Sequence, residues 1–235
     1  MLGAIAVEIS GAVGEGEEIA DMATYLGNWF DAIVVRPPSF RSLAVLAEAT
    51  PAMVVNARTR LNHPCEILGD LAAVHASGHD ITDTTNVVFV GEATDLCYSW
   101  LEAAAVLALA LTQVCPPGFQ ADIEAWQQLT PSPEGTVQVA HDFEDVLQQA
   151  DVVYTDCWPT GLDSEAAQEF RNLQITADVL DRCSSNVMFL PCPPVSRGEE
   201  VSSDAMTHPS CRVIEAKQWL LHAQNALLVS GLNGS

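Results

Sequence analysis

Asn86-Val87-Val88-Phe89-Val90-Gly91-Glu92-Ala93-Thr94-Asp95 carries the clearest fold signal in this chain of 235 residues. Its apolar run, Val87 to Val90, is unbroken, which is typical of a strand buried on both faces of a parallel sheet. A polar loop with a glycine follows, and an Ala/Leu-rich helical stretch begins at Asp95. The stretch therefore predicts a strand, a loop and a helix in the order that parallel α/β sheets require.

The same alternation of strand and helix extends along the chain in both directions. Strands are predicted at residues 4–9, 32–35, 52–55, 86–90, 112–115, 136–140, 152–155 and 187–190. Helices are predicted at residues 17–29, 40–49, 64–74, 95–111, 122–129, 143–149, 164–172 and 214–229. This alternation predicts an α/β protein with parallel sheets and helices on both faces.

A polar break at Ser77-Gly78-His79-Asp80 suggests a boundary between two lobes. Residues 80–210 predict a nearly complete doubly wound sheet. Residues 1–76 predict only three strands, which is short for an independent fold. We therefore expect the helical stretch at 214–230 to pack back on the first lobe and to be its main stabilising element.

Composition and charge exclude several classes of partner. The chain has 31 acidic and 9 basic residues, a formal net charge of −22, so nucleic acid and anionic membranes are not expected as partners. Its apolar runs are shorter than a membrane helix needs, and its start lacks the basic region of a secretory signal. The seven cysteines have no C-x-x-C spacing, which favours a reducing cytoplasm and predicts no metal site.

One segment has the composition of an anion site. His63-Pro64-Cys65-Glu66 opens a predicted helix, whose free N–H groups and dipole favour a bound oxyanion. The chain concentrates four arginines within 25 residues around it: Arg36, Arg41, Arg58 and Arg60. We interpret this segment as a positive pocket for a small anion, although Arg41 and Arg58 could equally be ordinary surface side chains.

Four loops should lie at the carboxyl ends of strands, where ligands bind in doubly wound sheets. They are residues 36–38, 91–95, 155–158 and 191–194. Asp95 and Asp156 could hold a ligand or serve only as helix N-caps. Cys157 and Cys192 are more often small buried hydrophobic residues than nucleophiles.

Taken together, several segments resemble the aspartate/ornithine carbamoyltransferase superfamily, and ornithine carbamoyltransferases most closely. Each has a counterpart in the family, in the same order and with similar spacing: Gly14-Glu15-Gly16-Glu17-Glu18-Ile19, Asp31-Ala32-Ile33-Val34-Val35-Arg36, His63-Pro64-Cys65-Glu66, Leu68-Gly69-Asp70-Leu71, Phe89-Val90-Gly91-Glu92, Ala150-Asp151-Val152-Val153-Tyr154-Thr155-Asp156-Cys157-Trp158, and the tail segments 197–201 and 221–228. The resemblance extends over essentially the whole chain.

The resemblance implies a transcarbamylase-type fold of two parallel-sheet lobes, assembled as homotrimers. It also implies which residues carry the chemistry. Catalytic roles would fall to Arg36, His63 and Cys192; carbamoyl phosphate or phosphate would be held by Arg36, Arg58, Arg60, His63 and Glu66; an amino acid would meet Asp95, Asp156, Thr160 and Gly161. The expected partners are carbamoyl phosphate or phosphate and a small amino acid or amine, with no cofactor.

Departures from the family pattern indicate that carbamoyl transfer is weak or lost. The sequence starts after the family's first helix and its Ser-x-Arg-Thr-Arg phosphate motif, so we expect the first lobe to be incomplete. Glu66 replaces a glutamine, and Asp95 replaces an asparagine that meets the amino acid. Pro191 replaces a histidine, and Leu220 stands at the position of an arginine that contacts carbamoyl phosphate.

One compensation is visible in the sequence. Arg58-Thr59-Arg60 repeats an Arg-Thr-Arg pattern just before His63. We hypothesise that Arg60, together with Arg58, reaches into the pocket and partly replaces the missing phosphate contacts. Two functions stay open on these grounds: a divergent carbamoyltransferase, and a non-catalytic or regulatory protein that binds phosphate and an amino acid.

Overall fold

The computed structural model describes residues 3–11, 13–81, 85–129 and 133–233. In chain order the elements are α1 (Ile19–Gly27), β1 (Ala32–Val35), α2 (Phe40–Glu48), β2 (Met53–Asn56), α3 (Pro64–Ala76), β3 (Asn86–Val90), α4 (Asp95–Val106), β4 (Ala110–Val114), α5 (Ile123–Leu129), β5 (Thr136–Ala140), β6 (Val152–Thr155), α6 (Ser164–Asn172), α7 (Ala177–Asp181), β7 (Met188–Pro191) and α8 (Val213–Asn233). Within these residues, no helix has the length and apolar character that crossing a membrane requires.

The larger sheet has five parallel strands in the order β5-β4-β3-β6-β7. Its central strand β3 pairs with β4 on one side and with β6 on the other. Alternate residues of β3 enter different cores: Val87 and Phe89 pack with Trp100 and Tyr154, whereas Val88 and Val90 pack in a second cluster with Phe189. Both faces of the sheet are therefore covered, which confirms the doubly wound prediction.

The smaller sheet consists of β1 and β2, paired in parallel with Ala32 opposite Met53. Helix α8 packs along α3. At the contact, a Cβ atom built on Gly69 would lie 2.6 Å from the Leu220 Cα atom, so only glycine allows this approach. Farther along α8, a Cβ atom built on Gly231 would likewise lie too close to the Met53 side chain. Helix α8 thus contacts both α3 and β2.

The predicted strand at 4–9 is wrong. Residues 3–10 have no regular secondary structure, and Ile5, Val7 and Ile9 are 90%, 59% and 58% exposed. An apolar-polar alternation becomes a strand only when a neighbouring strand supplies hydrogen-bond partners, and this segment pairs with none of the described strands. The part of the chain before residue 77 therefore has two strands in the described residues rather than the three predicted.

Three further differences concern the larger sheet. The helix predicted at 143–149 is only a 3₁₀ turn at Leu147–Gln149, because Asp145 has a φ of 61°, which an α-helix excludes. Helix α4 ends at Val106 and β4 begins at Ala110, earlier than predicted, since the apolar run between them fits either structure. The five-residue helix α7, capped by the Thr176 hydroxyl, was not predicted.

Candidate functional site

A cleft of about 940 Å³ lies at the carboxyl ends of strands from both sheets. The loops after β1, β2, β3, β6 and β7 all contribute to its walls. The strand order of the larger sheet reverses between β3 and β6, and a reversal of this kind opens a crevice for ligands. The four loops that the sequence marked as ligand-binding therefore meet in one place.

Most of the residues proposed from the sequence line this cleft. They are Arg36, Arg58, Arg60, His63, Glu66, Asp95, Asp156, Thr160 and Cys192. Two others lie elsewhere: Gly161 is exposed with a φ of 76° and is not part of the wall, and Arg41 is exposed on α2. The sequence marked the loop that contains Thr94, but it did not single out Leu96 or Pro159, which also line the cleft.

His63 is the N-cap residue of α3, and hydrogen bonds fix its backbone against α4. Its N–H donates to the Ser99 hydroxyl at 2.7 Å, and that hydroxyl donates to the Asp95 carbonyl at 2.9 Å. The imidazole side chain is 10% exposed, and its Nε2 atom lies 4.0 Å from Glu66 Oε2. Burial is the main cause that lowers the pKa of His63, so the ring is neutral near pH 7 and offers one donor and one acceptor.

Two of the three arginines in the cleft are available for a ligand. Arg58 Nε donates to Asp95 Oδ2 at 2.5 Å, which joins the loop after β2 to the first turn of α4. Arg36 and Arg60 make no ion pair with any residue in the described part of the chain. Because Arg58 is already engaged, Arg36 and Arg60 are the free positive groups for an anion.

The loop that carries Arg58 and Arg60 is held by a polar network. The Asn62 side-chain oxygen accepts hydrogen bonds from Asn56 Nδ2 at 2.8 Å and from the Thr59 hydroxyl at 2.9 Å. The Asn62 side-chain nitrogen donates to Glu102 Oε1 at 2.7 Å. Asn62 is buried, so these bonds fix the loop in one conformation. The short spacing of asparagine and threonine in residues 56–62 was the only sequence signal for it.

Carboxylates from the larger sheet also line the cleft. Asp95 is the first residue of α4 and not its N-cap, because the neighbouring Thr94 hydroxyl accepts from Cys97 N and caps the helix. Asp156 follows β6 and accepts a 2.8 Å hydrogen bond from Cys157 N. Burial raises the pKa of Asp156, and burial followed by the charge of Asp156 raises the pKa of Glu92. The cleft therefore receives Arg36, Arg58 and Arg60 from the loops after β1 and β2, and Glu92, Asp95 and Asp156 from the segments after β3 and β6.

Cys192 also lines the cleft. It is buried after β7, and burial raises the pKa of its thiol to about 12. The thiol is therefore protonated at neutral pH, and a thiolate nucleophile is not available there.

A charged network behind the cleft links α3, β6 and α8. The only lysine of the sequence, Lys217, donates to Glu66 Oε1 and, at 3.3 Å, to Asp70 Oδ1. The Tyr154 hydroxyl donates to Asp70 Oδ2 at 3.0 Å. Burial disfavours the Lys217 ammonium, but the attraction of Asp70 and Glu66 outweighs it and raises the Lys217 pKa. Burial raises the pKa of Asp70 to about 6.

Metal chemistry has no visible donor set in the described residues. Among residues 3–11, 13–81, 85–129 and 133–233, no group of three or more histidine, cysteine, aspartate or glutamate side chains is placed to hold a metal ion.

Comparison with known proteins matches the chain to two family models. Residues 1–76 match the carbamoyl-P binding domain of aspartate/ornithine carbamoyltransferase, and residues 83–230 match its Asp/Orn binding domain. The ornithine carbamoyltransferase of Chlorobaculum tepidum is 34% identical over 239 residues, which cover 99% of this chain and 70% of that protein.

Solved structures agree with the sequence comparison. The ornithine carbamoyltransferase from Pyrococcus furiosus superposes with a TM-score of 0.85 at 30% identity, covering 95% of this chain and 73% of that one. The anabolic ornithine carbamoyltransferase from Campylobacter jejuni gives a TM-score of 0.82 at 25% identity, covering 95% of this chain and 76% of that one.

Proposed function

The chain belongs to the aspartate/ornithine carbamoyltransferase family, and on that premise we propose that its cleft transfers a carbamoyl group from carbamoyl phosphate to an amine. One observation carries the proposal. Arg36, Arg60 and the neutral His63 line the same cleft as the carboxylate of Asp156. Such a cleft suits an anionic donor on one side and an ammonium-bearing acceptor on the other.

In this proposal carbamoyl phosphate binds on the side of residues 1–76. Arg36 and Arg60 pair with the phosphate, and the N-terminus of α3 adds its free N–H groups and dipole. Arg36 and His63 donate to the carbamoyl oxygen, which becomes more negative as the amine attacks. Glu66 lies beside His63; as a carboxylate it offers no donor to the ligand, and its Oε1 atom accepts from Lys217.

The acceptor binds on the side of residues 80–210. Asp156 holds an ammonium group of the acceptor, with Asp95 and Thr160 beside it in the wall. The reacting nitrogen must be an uncharged amine, since only that form has a free electron pair. Holding both reactants in one cleft converts a bimolecular step into an effectively intramolecular one.

We expect transfer to be slower than a full set of donors would allow. Leu220 packs against Gly69 and supplies no charge to the cleft, and Glu66 is an acceptor where a donor is expected. Each missing hydrogen bond to a charged group corresponds to about 1.5–3 kcal/mol. These two features favour the second candidate function, a protein that binds phosphate and an amine or amino acid without catalysis.

The test is a carbamoyl phosphate assay against a panel of amino acids and amines, with the ureido product measured. We expect slow product formation that His63→Gln lowers by about 100-fold or more, the typical effect of losing one oxyanion donor. His222→Gln, an exposed histidine on α8, is the matched control. Binding of carbamoyl phosphate without any product would favour the second candidate, and no binding at all would reject both.

We also propose that the protein assembles as a homotrimer. Light scattering of the purified chain measures its mass directly. A monomer across the micromolar range would contradict this part of the proposal.

A further inference from the structure

The acidic wall of the cleft carries more charge than its neighbours neutralise. Glu92, Asp95 and Asp156 come from loops at the ends of β3 and β6 and all line the cleft. In the described residues, Arg58 is the one cation paired with any of the three. The wall therefore keeps a formal charge of about −2, counted as three carboxylates against one guanidinium.

One side-chain oxygen of Asp95 lacks a hydrogen-bond donor among the described residues, which suggests that a ligand supplies one. Its side chain is 6% exposed, and its Oδ2 atom accepts from Arg58. Its Oδ1 atom is buried and has no hydrogen-bond partner among the described residues. A buried carboxylate oxygen without a donor is unfavourable, and an N–H group of a ligand would satisfy it.

Binding a substrate amine that also carries a carboxylate would be unfavourable at this wall. That carboxylate offers no donor to Asp95 Oδ1, and its charge has the same sign as the three wall carboxylates. Among the described residues, Arg58 is the cation paired with this wall, and its Nε atom already lies 2.5 Å from Asp95 Oδ2. A ligand carboxylate that reached Arg58 would therefore have to share it with Asp95, at close range and with like charge.

From this juxtaposition we infer that the preferred acceptor is a small aliphatic diamine without a carboxylate group. The inference rests on the proposed function and names the substrate class of that same cleft. The distal ammonium donates to Asp95 Oδ1 and Asp156, and it brings one positive charge to the wall. The reacting amine faces Arg36 and His63 across the cleft.

The reaction balances with these groups alone. The uncharged amine nitrogen forms a bond to the carbamoyl carbon, and the bond from that carbon to the phosphate oxygen breaks. The bonding electrons leave with the phosphate, and one proton passes from the attacking nitrogen to the departing phosphate. The products are a monosubstituted urea that keeps its distal ammonium group, and inorganic phosphate.

Three small molecules that differ in their charged groups test which carbamoyl acceptor the cleft prefers. Their affinities are measured by calorimetry in the presence of inorganic phosphate. The first probe is 1,4-diaminobutane, which has two amino groups and no carboxylate. L-ornithine adds a carboxylate to this diamine, and 4-aminobutanoate carries a carboxylate in place of the second ammonium. We expect 1,4-diaminobutane to bind at least about tenfold more tightly than L-ornithine, and 4-aminobutanoate to bind most weakly. Equal or tighter binding of L-ornithine, or no binding of any probe, would overturn the inference.

The variant Asp95→Asn tests whether this residue sets the preference. It keeps the size of the side chain and removes its charge, so we expect the preference for the diamine to shrink at least about tenfold. Asp163→Asn is the matched control, since Asp163 is an exposed N-cap on α6 and asparagine also caps helices. An unchanged preference in Asp95→Asn would also overturn the inference.

The carbamoyl phosphate assay distinguishes failure of this inference from failure of the proposed function. Product formed from L-ornithine in preference to 1,4-diaminobutane would reject the diamine and leave carbamoyl transfer standing. Absence of both carbamoyl phosphate binding and product would reject the proposed function and the diamine with it.

Discussion

Replacing Lys217 by methionine keeps a side chain of similar length but removes the one cation that, among the described residues, pairs with both Glu66 and the buried Asp70. Asp70 is 1% exposed, and its pKa of about 6 lies above the ordinary value of 3.8 even with Lys217 present. At neutral pH Asp70 is charged, and the difference between these two pKa values means that its charge lowers the free energy of unfolding by about 3 kcal/mol. Removing one partner of a buried ion pair typically lowers the free energy of unfolding by about 3–5 kcal/mol.

The pH dependence gives the sign of the effect. Because Asp70 binds its proton more tightly in the folded protein, its contribution to stability is fully present below pH 4 and is lost as the pH rises through about 6. Without the Lys217 ammonium the folded pKa of Asp70 rises further, so the loss extends to higher pH. Lys217→Met should therefore unfold about 3 kcal/mol more easily than the parent at pH 7.5. At pH 5 we expect a difference of about 1 kcal/mol, from the remaining contact with Glu66.

Urea unfolding followed by circular dichroism at both pH values measures these differences. Arg182→Met, which removes an exposed cation, is the matched control and should change stability by less than about 0.5 kcal/mol. In the double variant Lys217→Met/Asp70→Asn the dependence on pH should largely disappear. An equal loss at pH 5 and pH 7.5 for Lys217→Met would show that packing of the stem, and not charge, stabilises this contact.

Two further predictions concern the anion site and the helix contact. Arg60→Ala should weaken phosphate binding by about tenfold in calorimetry, because it removes one charge-assisted hydrogen bond. Arg41→Ala, outside the cleft, should leave the affinity unchanged, and an unchanged affinity in Arg60→Ala would exclude Arg60 from the site. Gly69→Ala should lower the free energy of unfolding by about 1–3 kcal/mol, since its Cβ atom would lie 2.6 Å from the Leu220 Cα atom. A thermal midpoint equal to that of the parent would show that α8 can shift without cost.

The fold was predictable where the sequence pattern is local. Strands β1, β3, β5 and β6 and helix α6 have the predicted bounds, because each is a compact run with polar or glycine-containing flanks. The segment at 4–9 has a strand pattern as well, but whether it forms a strand depends on a neighbour that the pattern does not encode. Asp145 shows the same limit, since nothing in its surroundings predicts a positive φ.

The site was predictable where one motif supplies both the element and the side chain. Asp156 belongs to a loop at a predicted strand end, where ligands bind in such sheets, and His63 opens a predicted helix whose N-terminus suits an anion. The contact of Arg58 with Asp95 joins residues 37 positions apart, and that of Lys217 with Glu66 joins residues 151 apart. Partners so far apart in sequence are fixed by tertiary packing, which composition and spacing do not reveal.

The pairing of α3 with α8 also constrains when the protein can fold. During vectorial synthesis, α3 leaves the ribosome well before α8, and until then the surface around Gly69 has no partner. The two-stranded sheet and α3 must therefore wait, with apolar surface open to solvent, for more than a hundred further residues to be translated. Contacts of such long range also slow folding in free solution. A nascent chain stalled before Val213 should accordingly bind chaperones strongly, and its release should follow the emergence of α8.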